Sequence, residues 1–582
     1  MDREPLTFEE LSAHFEEALE LVSAVTDPLP LRNHLFALIL LKRLHDQFQE
    51  RYAALIERER RHGSSETEAA AIAEDPDEYP IFLPREARWP ALLSAPERSL
   101  PALAHACSLL AASNPSALAG VLDRLSFEVL DAELGPAAAN ELWHRLLQHF
   151  NGITLSDQRL LTADAFDLAI DSLLESFIQR AGRKAGDFAS PRPVMRLLAE
   201  LLQPADGMRI ADPVCGVARG LLACRAYVAR AGGRPQNLSL HGEELDPETW
   251  VLGRLNLLLH GVTDFQLELG DAISQPLLAA EGSLLTCDRL IAHPPFSIAN
   301  WQRAAALNDP WQRFQAGVPP EKRGDLALVQ HALAALTPAG RAAIMVAHGV
   351  LFRPGPEQDI RRALLQPDCD AIEAVIGLPR GLGYGASLAF AILLLRRHKP
   401  ESRRGKVLFI DATAHLEPES LEEGLQEADI LKIVATYRAG GEAATLPAAL
   451  EELIAEWQAQ LQSAYHAARS RWPQESSARE KIDTHFHLRR QVLQRAAERA
   501  RAWLAHNPTL AGFAATATLA DIERLHLCNL NFTRYVGGRR YQPAFDLTAE
   551  WRDLHQLEAQ RNQAENEMDR LLAEWGDGAG VR

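Results

Sequence analysis

RIADPVCGVARGLLACRAYVAR, residues 209–230, and LSLHGEELDPETWVLGRLNLLLHG, residues 238–261, repeat one cycle: a short apolar run, an acidic or prolyl turn, then an amphipathic stretch of helical length. Strands separated by helices of this length are joined by crossovers, so they lie parallel in one sheet with helices on both faces. The cycle continues on the C-terminal side. FQLELGD (265–271), CDRLIAHPP (287–295), RAAIMVAHG (341–349), AIEAVIGLP (371–379) and AFAILLLRR (389–397) are further short apolar runs, several ending in Gly, Pro or Asp, and 324–336 is another helical span. Runs that are apolar throughout belong to strands buried on both faces. They predict an α/β fold with a mostly parallel sheet, and ligand sites where the carboxyl ends of the strands meet the following loops.

On either side of this region the period changes. Residues 1–165 read as helical; in LRNHLFALILLKRLHDQFQERYAALIERERR (31–61) the positions Leu35, Leu38, Leu41 and Leu44 form a stripe widened by Phe36, Ile39, Leu40 and Phe48. The acidic, proline-broken stretch 64–90 reads as a surface excursion, and helical stretches follow near 120–149 and 163–181. From about 412 the strand signal fades and 449–472 and 479–506 are long charged helices. Leu554, Leu557, Arg561, Ala564, Met568 and Leu571 form a heptad seam with one polar interruption, suited to docking on a partner or on the chain's own body. The division expected is a helical domain 1–165, an α/β domain 166–425 and a helical region 426–582.

The chain of 582 residues has room for about three or four domains. It holds no run of 18 apolar residues, and its acidic start, MDREPLTFEELSAHF, is unlike a leader, so a cytoplasmic protein is expected. Its six cysteines are scattered singly, which supports neither a disulfide framework nor a cysteine-rich metal site. The formal charge of −18 would repel a polyanion if evenly spread. Nucleic-acid binding then needs a local basic face, or a partner that supplies most phosphate contacts.

Four loops at strand ends carry candidate chemistry. The first holds Asp212, Pro213, Cys215, Gly216 and Gly220; alone it reads equally as a ligand turn or as a tight turn before a helix. In the second, Glu244 stands about 30 residues beyond that turn, as an acid does when it receives ribose hydroxyls. The third is Gly270-Asp271. The fourth, His293-Pro294-Pro295-Phe296, is stiff because each proline fixes φ and lacks an N–H; its aromatic ring either stacks on a planar base or is simply buried beside a proline turn. No clustered cysteine or acid accompanies His293, so no metal is expected.

The ordered series GRKAGDFASPRPVMRLLAELL (182–202), ADPVCG (211–216), HGEELDPETW with NLLLHG (241–261), GDAI (270–273), AHPPFS (292–297), GDLALVQHALAALTPAGRAAIMVAHGVLF (324–352), AVIGLPRGLGYGASLAFAILLLRR (374–397) and HLCNLNFTRYV (526–536) resembles the modification (M) subunit of bacterial type I restriction-modification systems. The opening LRNHLFALILLKRLHD is similar to the N-terminal helical domain of those subunits. The resemblance implies a Rossmann-like, S-adenosylmethionine-dependent DNA methyltransferase acting on adenine N6. It implies a cofactor site made of Phe188, Ala189, Ser190, Pro191, Asp212, Cys215, Gly216, Gly220, Glu244 and Asp271, with Glu244 on the ribose and Asp271 on the adenine amine. Catalytic positions would be His293, Pro294, Pro295 and Phe296, with Phe296 stacked on a flipped adenine. Partners implied are a specificity subunit, a second M subunit, a restriction subunit and duplex DNA, and no membrane.

Three departures fall inside these motifs. His293 replaces the family's Asn or Asp, Val217-Ala218-Arg219 replaces a Ser-Gly-Gly-like continuation of the turn, and Ala189-Ser190 replaces an aromatic-Thr pair. A side chain at Ala218 and the bulk and charge of Arg219 are expected to obstruct the cofactor, making its binding weak or lost. Neutral imidazole accepts a hydrogen bond from an amine and imidazolium does not, so activity is expected to fall as His293 titrates, nominally near 6.5. Two functions follow: a working methyltransferase subunit, or an impaired one that serves as a structural or DNA-contacting part of a DNA-defence complex.

Overall fold

The computed structural model describes residues 4–94, 96–127, 134–181, 190–280, 282–382, 389–413, 415–417, 419, 424–474 and 476–537. The strands are β1 (Arg209–Asp212), β2 (Ser239–Glu244), β3 (Gln266–Leu269), β4 (Ala279–Ala280), β5 (Ser283–Leu284), β6 (Cys287–Ala292), β7 (Leu336–Ala347), β8 (Ile372–Leu378), β9 (Phe390–Arg396), β10 (Lys406–Asp411) and β11 (Ala514–Thr518). Nine form one sheet in the order β11-β10-β8-β9-β7-β6-β1-β2-β3, while β4 and β5 make a separate small hairpin. β1 pairs in parallel with both β2 and β6, and β6 with β7. Within this sheet antiparallel pairing among the described residues is confined to β9, between β7 and β8, and to the edge strand β11 on β10. The order reverses direction between β1 and β6, a switch point that leaves a crevice outside their carboxyl ends.

Both faces of the central strands are dry, as the unbroken apolar runs require. Along β9, Ile392 and Leu394 enter one core and Ala391, Leu393 and Leu395 the other; Leu408 and Ile410 alternate likewise with Val407 and Phe409 on β10. The first core takes in the N-terminal helices with those at Arg192–Leu202, Arg219–Arg230, Pro247–Leu259, Glu427–Arg438, Leu446–Ser470 and Ala478–His506; the second holds helix Asp325–Ala334 and the 528–536 segment. N-terminal helix Arg32–His62 reaches helix Pro247–Leu259 through Asn33, whose Nδ2 donates to Glu248 O and Oε2 at 3.0 and 2.8 Å. Met1–Val536 forms one compact unit. No helix among the described residues is long and apolar enough to cross a membrane.

The structure corrects the reading at several elements. The stretch 64–90 is not merely an excursion. It contains helix Glu66–Ala73, started by a reciprocal Ser65–Glu68 capping box, and it buries Ala69, Ala73, Leu83 and Trp89. Strand β7 starts five residues before the expected Arg341, and β10 was not anticipated. β11 interrupts the region read as helical after 412. Within 120–149 the described part is a 3-10 turn, Leu122–Arg124, and helix Pro136–Asn151. The heptad seam at 554–571 lies outside the described residues.

The segment Asn529–Val536 closes over the sheet. Phe532 lies directly on Gly377 of β8, where any Cβ would collide with its ring. Tyr535 stacks on Phe409 with ring centroids 3.8 Å apart, and the N–H of Leu530 donates to Leu351 O at 2.8 Å.

Candidate active site

Asp212 ends β1 and is 3% exposed. The N–H of Val214 donates to its Oδ1 at 3.1 Å, and no cation pairs with it among the described residues. Burial, opposed by that hydrogen bond and reinforced by nearby Glu244, pushes its carboxyl up to about 8. Gly220 makes room for it: a Cβ there would lie 2.8 Å from Asp212 Oδ2 and 3.1 Å from Ile291 Cγ2. Gly216 takes a left-handed φ of 53° and donates its N–H to Glu244 Oε2 at 2.9 Å, joining the β1 turn to the end of β2. The other Glu244 oxygen accepts from the N–H of Asp246 at 2.8 Å. Burial raises this carboxyl above its ordinary value.

Beyond β3, both oxygens of Asp271 are engaged, Oδ1 by the N–H of Ile273 at 3.0 Å and Oδ2 by Ser274 Oγ at 2.7 Å. The Gly270 N–H donates to Glu244 O at 2.9 Å, so the two acids sit on joined loops. Two residues here were not singled out from sequence. Glu243, fully buried, accepts the N–H groups of Leu277 and Leu278 at 3.1 Å each and anchors the chain beyond Asp271. Leu245 is 68% exposed directly after Glu244; its position after a strand-end acid was the available signal.

His293 follows β6, the strand next to β1. Its Nδ1 lies 2.7 Å from Ser190 Oγ, and its ring meets Phe296 edge-on at 5.7 Å. The ring keeps some exposed surface but is packed in protein, and desolvation pushes its pKa down to about 4. The imidazole is therefore neutral near pH 6.5, against the expected titration there. Pro294 is buried and Pro295 exposed. Phe296, half-buried, stacks at 5.7 Å on buried Phe390 of β9, so a neighbour from a distant strand fixes its plane. The following residue, Ser297, has a left-handed φ of 58° and donates its N–H to buried Asp325 Oδ1 at 2.9 Å.

The side chains expected to obstruct the cofactor are both held by the protein's own contacts. The Ala218 methyl is wholly buried in the core, although its φ of 62° would suit glycine. Arg219 has a side chain only 4% exposed; its Nη2 pairs with Glu175 at 3.2 Å and its Nε lies 3.8 Å from Asp171, both on helix Ala165–Ala181. Nη1 donates to Ser190 O at 2.9 Å. The charge expected beside a sulfonium is thus matched by two carboxylates. Asp212, Cys215, Gly216, Gly220, Glu244 and Asp271 are joined by bonded loops, and Ser190 reaches the His293 platform; Pro191 sits at the start of helix Arg192–Leu202. Phe188 and Ala189 lie outside the described residues.

A doubly wound sheet with acids at its switch point and a proline-stiffened aromatic platform on the adjoining strand defines a protein class built to place a nucleotide-like ligand beside a planar base. Residues 161–475, more than half of the chain, match the N-6 DNA Methylase family, and residues 17–150 match the HsdM N-terminal domain. The chain belongs to the N-6 DNA methylase family, as an M subunit of the type I restriction-modification kind. It is similar to the HindI methylase subunit of Haemophilus influenzae, with 29% identity over 45% of this chain and 58% of that one. It is also 28% identical to the MjaVII methylase subunit of Methanocaldococcus jannaschii, over 69% of each chain. The alignment to the first thus spans little more than half of that relative. The crystal structure of a type I restriction-modification system methyltransferase subunit from Streptococcus thermophilus shares the fold, with a TM-score of 0.68 and 21% identity over 91% of this chain and 100% of that one.

Proposed function

We propose that the chain transfers a methyl group from S-adenosylmethionine to adenine N6 in duplex DNA, within a cytoplasmic complex whose specificity subunit reads the sequence. The observation that supports this reading best is the placement of Asp212, Glu244 and Asp271 on loops that meet the β1–β6 switch point, with His293-Pro294-Pro295-Phe296 on the neighbouring strand end. These residues fit the cofactor. Asp212 is a buried carboxyl lacking a positive partner among the described residues, and Glu244 and Asp271 are oriented by neighbouring donors with lone pairs left for hydroxyl and amine hydrogens. When bound, adenosylmethionine would supply an electrophilic methyl carbon.

This chain's residues would do the rest. Glu244 binds the ribose and Asp271 the cofactor's amine. Phe296, its plane set by Phe390, stacks on the flipped base. Neutral His293 accepts a hydrogen bond from one N6–H and the Pro294 carbonyl one from the other, holding the nitrogen lone pair toward the methyl group. In this division of labour residues 1–165 are a helical domain, 166–425 catalyse, and 426–582 dock the specificity subunit; a second M subunit and a restriction subunit complete the assembly. The −18 charge favours delegating phosphate contacts.

Tritiated methyl incorporation into duplex DNA by the complex with its specificity subunit tests the reading. Incorporation is expected to be nearly level from about pH 8.5 to 5.5, because His293, held near 4, is neutral throughout. A second reading, favoured by an imidazole where the family carries Asn or Asp, is an impaired subunit that retains a structural or DNA-contacting role. Absence of incorporation, together with no heat of adenosylmethionine binding, would replace the first reading with the second.

A further inference from the structure

The three departures from the family pattern are far apart in sequence but touch in space. Ser190 Oγ lies 2.7 Å from His293 Nδ1, across 103 residues, and Arg219 Nη1 donates to the carbonyl of that same Ser190 at 2.9 Å. Arg219 is itself fastened at its far end: Nη2 donates to Asp171 O at 3.3 Å and pairs with Glu175. Asp171 is further bound by Arg192 Nε at 3.3 Å, from the first residue of the helix that follows Ser190. Pro191, next in the chain, restricts the Ser190 backbone. Independent decay of three positions has no reason to leave them hydrogen-bonded to one another.

Which ring nitrogen of His293 carries the proton decides what it can do for an amine. If Nδ1 carries it, Ser190 Oγ accepts that proton and Nε2 is left with a lone pair; Nε2 makes no hydrogen bond to a described residue. In the other tautomer Ser190 Oγ–H donates to Nδ1 instead, and Nε2–H would face the N6 hydrogens donor against donor, so of the two arrangements of this contact only the first serves the amine. We infer that Ser190 and Arg219 are positioning residues for His293: Ser190 holds the Nδ1–H tautomer that leaves Nε2 as the amine acceptor, and Arg219 holds Ser190 from the N-terminal helix Ala165–Ala181. This rests on the reading of His293 as acceptor of the target amine. It also makes helix Ala165–Ala181 a support for the reacting end of the site.

The tautomer is measurable without turnover. In the full-length chain carrying isotope-labelled histidine, the His293 signal is identified by its loss in His293→Asn, and its nitrogen shifts report which nitrogen is protonated. Wild type is expected to be Nδ1–H, Ser190→Ala to lose that preference, Ser190→Thr to recover it, and Arg219→Gln to shift in the Ser190→Ala direction. In the methylating complex, Ser190→Ala is expected to lower kcat about 10- to 100-fold, with KM for adenosylmethionine changing far less. An Nε2–H wild type, or a Ser190→Ala tautomer unchanged from wild type, overturns the inference. A wild type with the Nδ1–H tautomer and no methylation supports the positioning and defeats the methyl-transfer reading instead.

Discussion

Ala218 and Arg219 are adjacent, yet replacing each with glycine should act in opposite directions. Ala218 pays for a left-handed φ of 62° that glycine adopts freely, so Ala218→Gly is expected to stabilise the fold by about 1 kcal/mol. Arg219→Gly removes the ion pair to Glu175 and weakens the hold on Asp171 and Ser190. It should cost about 2–4 kcal/mol and weaken adenosylmethionine binding rather than improve it. Urea unfolding and calorimetric titration of the two single variants check both; tighter binding by Arg219→Gly would restore the obstruction argument. The sequence shows that His293, Ser190 and Arg219 are unusual, because each breaks a short motif. It does not show that they meet, since separations of 29 and 103 residues are closed only by the sheet and the helix docking. The pairing of the Arg219 charge is hidden from the sequence for the same reason: its acids lie on a helix more than 40 residues upstream.

β8 and β9 were readable because strands buried on both faces are apolar along nearly their whole length, and β1, β2, β3 and β6 because each short run ends at an acidic, glycyl or prolyl turn. β11, Ala514–Thr518, was not, because small residues and threonine on a sheet edge carry no such signature. Helix Glu66–Ala73 did carry a signal, Ser65 three residues before Glu68, outweighed in the reading by its acidity. The NLNFTRYV motif was recognised as a pattern, but only packing shows its structural use: Phe532 needs a residue without Cβ at Gly377. Gly377→Ala is expected to destabilise by about 1–3 kcal/mol and Phe532→Ala by about 3–5, with the double variant well short of their sum. A denaturant-based double-mutant cycle measures this; simple additivity would mean the two do not share a contact. Because Phe532 and Tyr535 lie within the compact unit, truncation after Gly538 should leave a soluble chain that melts cooperatively but fails to co-purify with a specificity subunit. Retained co-purification would refute a docking role for the tail.

Acid stability of the entire fold follows from several imidazoles buried in different places. Burial pushes His14, His45 and His293 down to about 4 and His331 to about 3. Each has a folded pKa below its unfolded one, so its contribution is present above about 6.5 and is lost as pH falls from there toward 4. Asp212 has the opposite sign. Its raised carboxyl contributes below about 3.8, and that contribution is lost as pH rises toward 8. Melting temperature should therefore drop steeply between about pH 6 and 4.5. Asp212→Asn should melt higher than wild type at neutral pH, by on the order of 2 kcal/mol, while binding adenosylmethionine less well. A melting temperature level to pH 4.5, or an Asp212→Asn chain less stable at pH 7, would contradict these assignments. The edge strand β11 has a different kind of consequence. It covers β10, yet about 100 residues of helix and loop separate the two in the chain. On a ribosome adding roughly 5–20 residues per second, β10 emerges about 5–20 s before the strand that covers it. During that interval its unpaired N–H and C=O groups are open to the same edge on a neighbouring nascent chain, so the spacing of ribosomes along the message becomes a determinant of how much protein escapes aggregation.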